Sequence, residues 1–160
     1  MSFSGRRVRA DYSGGELAKW VALFSRAIAG GTGDVLLAGG AVSRGVAALC
    51  SAEAVTLGEA VLFSRTAWTE LERKTDAALL LLAHELVHVE QYRRLGMARF
   101  LFSYGGEYLA GRLKGLSHGQ AYRDISFEKE ARQGELFARR LLDTGALLRG
   151  VPESGRWPRT

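Results

Sequence analysis

The sequence predicts an α+β fold dominated by helices, with a small antiparallel sheet ahead of one long buried helix. Short apolar runs separated by glycines fill residues 34–63, a pattern typical of strands joined by turns. From Trp68 onward, apolar residues recur at helical spacing almost throughout. Strands first and helices afterwards is the order expected of an α+β domain.

The first half of the chain is predicted to contain one helix and four strands. Apolar residues recur at helical spacing between Leu17 and Ile28, which predicts a helix over residues 16–29 that ends before Gly30-Gly31. Gly58-Glu59 is predicted to form a tight turn between two strands. The strands are predicted at residues 34–37, 46–49, 54–57 and 60–63.

The second half is predicted to contain three long helices. Thr75 is a suitable N-cap and Gly96 a suitable stop for a helix of about twenty residues. Arg93 and Arg94 lie in its last turn, where positive charge suits the helix dipole. Further helices are predicted at 97–113 and at about 127–142, separated by a loop over 114–126.

Length and composition indicate one globular domain. A chain of 160 residues that is 47% hydrophobic and 24% charged can bury a core of its own. We expect a flexible N-terminal arm at 1–14, a single domain at 15–149 and a polar C-terminal tail at 150–160.

Charge and cysteine content exclude several classes of protein. The net charge of +5 comes from scattered arginines, and the densest group, Arg93, Arg94 and Arg99 beside aromatic residues, is more typical of a solvated helix face than of a nucleic-acid or membrane surface. Cys50, the single cysteine, excludes an internal disulfide and a thiolate zinc cluster. We find no signal peptide and no apolar run long enough to span a bilayer, so we expect a cytoplasmic protein.

Residues 84–88, His-Glu-Leu-Val-His, carry the clearest chemistry in the chain. Residues four apart on a helix lie about one turn from each other on the same face, so His84 and His88 can reach one metal ion. Glu85 lies beside that face, where a base for a metal-activated water would be needed. The alternative is a pair of core histidines hydrogen-bonded to backbone carbonyls, but two imidazoles in so apolar a helix are costly to bury without partners.

A catalytic zinc site normally has three protein ligands and one open position. The third ligand must therefore come from elsewhere in the chain. The candidates are His118, Glu107, Glu128, Glu130 and Glu135.

The histidine motif followed by Phe127-Glu128-Lys129-Glu130-Ala131 resembles the gluzincins, in which a glutamate on a later helix is the third ligand. The resemblance is closest to short bacterial HExxH domains that are classed as metallopeptidases of unknown function. It extends over much of residues 54–131 and implies a zincin-like minimal metallopeptidase domain. By this resemblance His84, His88 and Glu128 hold one Zn²⁺ per chain.

Two observations bear on the choice of Glu128. Many gluzincins carry Asp or Asn four residues after the ligand glutamate, to orient a histidine, and this chain has Arg132 there. Helical phasing also places Glu130 inside the apolar arc of the last helix and Glu128 past its edge. We expect Glu128 to be the ligand, with Glu130 and His118 as alternatives.

The predicted function is zinc-dependent hydrolysis of peptide bonds in a protein or peptide substrate, with Glu85 as general base to a zinc-activated water. Tyr108, His118, Tyr122 and Arg123 are candidates, by position only, for stabilising the oxyanion. By resemblance, residues 61–63 would be an edge strand that binds the peptide backbone. The alternatives are a proteolytically silent zinc-binding module that recruits a protein partner, and a basic surface-binding module.

Overall fold

The computed structural model describes residues 5–8, 16–29, 34–50 and 52–145. These residues form four strands and seven helices, in agreement with the predicted helix-dominated α+β class. The strands are β1 (Gly5–Val8), β2 (Val35–Ala38), β3 (Ala54–Leu57) and β4 (Ala60–Phe63). The helices are α1 (Glu16–Ala29), α2 (Ala41–Leu49), α3 (Arg65–Glu72), α4 (Asp76–Leu95), α5 (Met97–Leu113), α6 (His118–Asp124) and α7 (Ser126–Asp143).

The sheet is mixed, so the prediction of a purely antiparallel sheet is wrong. Its strand order is β1-β2-β4-β3. The hairpin of β3 and β4 is antiparallel as predicted, with Gly58 at φ 62° in its turn. Strands β2 and β4, however, run parallel, because β3 runs in the opposite direction to both and returns the chain before β4 begins.

Residues 46–49, predicted as a strand, form the end of α2 instead. A run of four apolar residues does not distinguish a strand from a buried helix turn. The buried residues of α2, Ser43 and Ala47, are four apart, which is the spacing of one helix face.

Part of the predicted N-terminal arm belongs to the sheet. Residues 5–8 form β1, which pairs antiparallel with β2 from Gly5 opposite Ala38 to Val8 opposite Val35. The rest of the arm and the predicted tail at 150–160 lie outside the described residues.

Helix α4 is confirmed and lies at the centre of the fold. The Thr75 hydroxyl accepts a hydrogen bond from the Ala78 amide, and Gly96, with φ 77°, ends the helix. The helix packs against β3 and β4 of the sheet and against α1, α3, α5 and α7. Because neighbours surround it, its buried residues extend around most of its circumference, including both motif histidines.

The later helices α5 and α7 are also confirmed, but the loop predicted between them contains a helix. Ser117 and Gln120 form a capping box at the start of α6, and this local signal lies within the segment predicted as loop. Among the described helices, none is long and apolar enough to cross a membrane.

Candidate metal centre

The two motif histidines project from α4 toward the same point. Their Nε2 atoms lie 3.2 Å apart, and both side chains are buried. The i, i+4 spacing accounts for this convergence, since it stacks the two rings one helical turn apart.

Helix α7 brings Glu128 to these two nitrogens, and its side chain is only 1% exposed. Glu128 Oε2 lies 3.4 Å from His84 Nε2, and Glu128 Oε1 lies 3.3 Å from His88 Nε2. Within the described part of the chain, Oε2 accepts no hydrogen bond. His84, His88 and Glu128 are thus a buried group that could hold a metal ion.

The spacing of these atoms leaves room for one metal ion between them. Ligands about 2.0–2.1 Å from a tetrahedral zinc ion lie about 3.3 Å from one another. The two Nε2 atoms, 3.2 Å apart, agree with that edge length, and each faces a different carboxylate oxygen of Glu128, at 3.4 and 3.3 Å. Within the described residues, the buried Oε2 atom of Glu128 accepts no hydrogen bond and has Arg132 Nη1 at 4.0 Å, and a bound cation would satisfy it.

Each histidine is held by a second residue through its other ring nitrogen. His84 Nδ1 donates to Glu135 Oε1 at 2.5 Å, and His88 Nδ1 donates to Gln91 Oε1 at 2.7 Å. A carboxylate or an amide oxygen only accepts, so each Nδ1 must carry the proton. Both rings therefore present Nε2 toward Glu128, as metal-binding histidines do.

Electrostatic coupling between the candidate ligands is strong. Burial alone would lower the pKa of His84, but its contacts with Glu128 and Glu135 outweigh burial and raise the pKa to about 9. Burial would raise the pKa of Glu128, but its contacts with His84, His88 and Tyr104 hold the pKa far below the usual range of a carboxyl group. The centre therefore contains a carboxylate that attracts positive charge.

Two tyrosines adjoin Glu128. The Tyr104 hydroxyl donates to Glu128 Oε1 at 2.8 Å. Burial and the Glu128 carboxylate raise the pKa of both Tyr104 and Tyr122, so both remain hydrogen-bond donors near neutral pH.

Glu85 is held beside the centre by the sheet. Its Oε2 atom accepts a hydrogen bond of 2.6 Å from the Thr56 hydroxyl on β3, and both residues are buried. Glu85 lines the same cleft as His88 and Glu128. Thr56 leaves the other carboxylate oxygen of Glu85 available.

The remaining ligand candidates are engaged elsewhere. Glu130 accepts from Gln91 and Arg94, Glu107 accepts from the Ser126 amide and hydroxyl, and His118 pairs with Tyr108 at 2.8 Å. Helical phasing was a wrong guide here, because Glu128 is the buried residue and Glu130 is only half-buried. Arg132 occupies the position at which many gluzincins have an acidic or amide residue that orients a histidine. In this chain Glu135, about one turn further along α7, accepts from His84 instead.

A cleft of about 410 Å³ opens over Glu85, His88 and Glu128. One wall is β3, and the other is formed by α5 and its neighbours. Tyr108, His118 and Tyr122 line the cleft, whereas Arg123 does not. Three of the four candidates for oxyanion stabilisation thus line the same cleft as Glu85, His88 and Glu128.

The edge strand at this cleft is β3, so the prediction that residues 61–63 form it is wrong. Strand β4 lies between β2 and β3 and has neighbours on both sides. A hairpin motif alone does not reveal which of its two strands pairs with a third strand, and here the parallel pairing with β2 encloses β4.

The sequence reasoning missed three residues that support the centre, namely Thr56, Gln91 and Tyr104. Gln91 had a readable signal, because it lies three residues after His88 on the same helix face. It also donates to the Phe127 carbonyl and to Glu130 Oε2, which ties α4 to the start of α7. Thr56 and Tyr104 reach the centre only through tertiary packing.

The arginines that follow the motif form ion pairs. Arg93 binds Glu59 and the Asp34 carbonyl, and Arg94 binds Glu130. The prediction was of a solvated helix face, and Arg94, at 43% exposed, fits it, whereas Arg93 is only 18% exposed.

Comparison with known proteins gives one family. Residues 3–96 match the family model of the eCIS (extracellular contractile injection system) core domain. The matched region contains Thr56, His84, Glu85, His88 and Gln91 and stops before Glu128. No curated protein and no solved structure matches the chain. Because the match extends over more than half of its residues, the chain belongs to the eCIS core domain family.

Proposed function

We propose that this chain is a zinc-dependent metallopeptidase of the gluzincin type, with Glu85 as its general base. The observation that carries the proposal is the convergence of His84, His88 and Glu128, whose ligand atoms lie within 4.8 Å of one another, beside Glu85 in an open cleft. A structural metal site has no need of an adjacent carboxylate and an open cleft, whereas a hydrolytic site needs both.

In this proposal, His84, His88 and Glu128 hold the ion. When bound, zinc would supply a water of lowered pKa and a polarised substrate carbonyl. Glu85 takes a proton on the carboxylate oxygen that Thr56 leaves free and passes it to the leaving amine. The hydrogen bond from Thr56 keeps the Glu85 carboxylate in one orientation.

Strand β3 suits a peptide substrate. It lies at the edge of the sheet and lines the cleft, so an extended peptide can pair with its outward backbone groups. Tyr108, His118 and Tyr122 provide hydrogen-bond donors on the opposite wall, where the oxyanion of a bound peptide would lie.

The eCIS core match is compatible with a short metallopeptidase-like domain and carries no statement about hydrolysis. The second candidate is a zinc-binding module without proteolytic activity that recruits a protein partner. The two candidates share the metal centre and differ only in turnover.

Glu85→Gln separates these functions. We expect the wild-type chain, purified with one zinc per chain, to cleave an unstructured protein such as casein. Glu85→Gln should keep the zinc and lose activity at least about a hundredfold, because general base catalysis contributes about 10²–10⁴ in rate. Zinc content is measured by elemental analysis and cleavage by mass spectrometry. Zinc in both proteins without cleavage by the wild type would favour the silent module.

A further inference from the structure

The outward face of α5 carries apolar residues, where a surface helix normally carries polar ones. Phe102 is 83% exposed, Leu113 80% and Leu109 57%. Together with exposed small residues of the same face they form a surface that we call the α5 stripe, which consists of Ala98, Phe102, Gly105, Gly106, Leu109 and Leu113. We propose that the α5 stripe is the interface of a homodimer, in which α5 packs antiparallel against α5 of a second copy of this chain.

The α5 stripe lies on the side of the helix away from the metal centre. Its members cover about 100° of the helix circumference, because steps of three or four residues connect them. The packed side of α5 is the opposite one, where Phe100 and Gly111 are buried and Tyr104 reaches Glu128. The proposal therefore does not depend on the metal centre or on the peptidase function.

Exposed apolar side chains on this scale indicate an interaction surface. Single exposed apolar residues are common on proteins, whereas contiguous apolar patches mark sites of association. The α5 stripe contains no charged residue. Arg99 and Arg112 lie about 140° apart, on opposite edges of the stripe, and are exposed, so both can stay hydrated when the stripe is covered.

Two glycines at the middle of the α5 stripe favour a helix over a membrane as the partner. Glycine weakens a helix interior relative to alanine, so it needs a reason there. In the described part of the chain, nothing lies within 4 Å of a Cβ built at Gly105 or Gly106. A membrane surface rewards apolar area, which glycine lacks, whereas a second helix approaches closely where side chains are absent.

The symmetry of the α5 stripe selects a second copy as that helix. About the midpoint of Gly105 and Gly106, Phe102 lies as far in one direction as Leu109 does in the other, and Ala98 as far as Leu113. In an antiparallel pair, Phe102 thus lies level with Leu109 of the partner subunit, and Ala98 lies level with Leu113 of the partner subunit. A two-fold axis then passes between the glycines, and each contact occurs twice, as in an isologous dimer.

The length of the α5 stripe sets the strength of the dimer. From Ala98 to Leu113 the stripe is about 22 Å long. One helix pair of that length is small beside the roughly 800 Å² per partner of a standard interface. We therefore expect a dimer that dissociates in the micromolar range.

The first test measures self-association of the full-length chain by sedimentation velocity, over roughly 1–200 μM. We expect the wild type to pass from monomer to dimer in that range. Leu109→Glu should raise the dissociation constant at least about tenfold, because it buries a carboxylate in an apolar contact. The matched control is Leu136→Glu on α7, since Leu136 is 64% exposed and lies outside the α5 stripe. A monomeric wild type, or equal effects of the two substitutions, would overturn the inference.

Gly106→Ala tests the interface in a variant that folds at least as well as the wild type. Alanine is the better helix former, and a Cβ at Gly106 meets no atom of the described residues. In dilute protein Tm should therefore not fall, whereas the dissociation constant of the dimer should rise several-fold because the added Cβ separates the two helices. Association as tight as that of the wild type would contradict packing through the glycines.

Disulfide cross-linking tests the antiparallel arrangement. Every variant carries Cys50→Ser, because Cys50 is exposed. A mixture of Ala98→Cys and Leu113→Cys chains should form a disulfide-linked dimer under mild oxidation, since these positions lie level across the interface. Neither variant alone should do so, because its own counterpart lies about 22 Å away along the helix pair. Efficient linking of Leu113→Cys to itself would overturn the antiparallel dimer.

A membrane surface would give a different result. Vesicles of phosphatidylcholine and phosphatidylserine in equal parts are mixed with the wild type and separated by flotation. We expect the protein to stay out of the vesicle fraction. Vesicle binding that Leu109→Glu abolishes and Leu136→Glu does not would assign the α5 stripe to a lipid surface and overturn the homodimer.

Discussion

Two imidazole nitrogens and a carboxylate meet within 3.4 Å of one another in the protein interior, all on buried side chains. Without a cation, His84 must bring an extra proton to neutralise Glu128, and its raised pKa reflects that pairing. Metal binding therefore exchanges a proton for an ion at an existing negative site.

Removing Glu128 should empty the centre. We expect Glu128→Ala to lose bound zinc, because two histidines alone leave a catalytic-type site one ligand short. Glu130→Ala is the matched control on the same helix and should keep one zinc per chain, since Glu130 binds Arg94 and Gln91 instead. Elemental analysis of the purified proteins measures this. Zinc retained by Glu128→Ala would contradict the assignment.

Removing the residue that orients His84 should weaken the centre without abolishing it. Glu135→Ala leaves His84 Nδ1 without its acceptor, and losses of such partners cost about 10–100-fold in metal affinity. We expect a decrease of that size in a competition titration against a chelator of known affinity. Glu107→Ala, which alters a carboxylate that accepts from the Ser126 amide and hydroxyl, should leave zinc affinity unchanged.

At the scale of elements, the site depends on how closely α7 approaches α4. Gly134 on α7 faces Val87, which lies between the two histidines, and a Cβ at Gly134 would lie 2.5 Å from Val87 Cγ2. A glycine here permits the close helix contact that places Glu128 against the histidine nitrogens.

Gly134→Ala should therefore separate the two helices. We expect the free energy of unfolding to fall by about 1–3 kcal/mol, the usual cost of overpacking, together with weaker zinc binding. Chemical denaturation in the presence of a chelator measures the free energy of unfolding without bound metal. The control is Gly105→Ala in α5, where nothing lies within 4 Å and alanine should stabilise the helix by up to about 1 kcal/mol. Equal stability of Gly134→Ala and the wild type would contradict this packing argument.

Elements whose signals are local could be predicted from the sequence. Helix α4 carries its N-cap Thr75, its helix-forming interior and its stop Gly96 within one segment, and the prediction is confirmed. The prediction of a strand at 46–49 was wrong because four apolar residues fit a strand or a helix equally well. The pairing of β2 with β4 could not be predicted, because it depends on contacts between distant segments.

The residues of the candidate metal centre likewise differ in whether local sequence spacing predicts them. The histidine pair and Glu85 follow from spacing on one helix. The choice between Glu128 and Glu130 depends on how α7 is rotated against α4, and the phase of its apolar residues wrongly indicated that Glu130 is the more buried of the two. The Thr56 and Tyr104 contacts come from elements that sequence spacing does not connect to the motif.

For the whole molecule, a metal at this centre would link α4 to α7. An ion that binds only the folded chain stabilises it by about 2.7 kcal/mol when free metal exceeds the dissociation constant a hundredfold. We expect chelator treatment to lower Tm by about 5–10 °C for a chain of this size, measured by calorimetry with and without added zinc. Glu128→Ala should show no such shift, and an equal shift in that variant would place the stabilising ion elsewhere.

The two walls of the cleft lie on opposite sides of the boundary where the family match ends. The histidine pair, Glu85 and β3 lie within residues 3–96, while α5, α6 and the third candidate ligand, Glu128, follow. The candidate metal centre is thus shared between two stretches of the chain. Residues 3–96 contain two of its three candidate ligands, so the centre is complete only when α7 packs against α4.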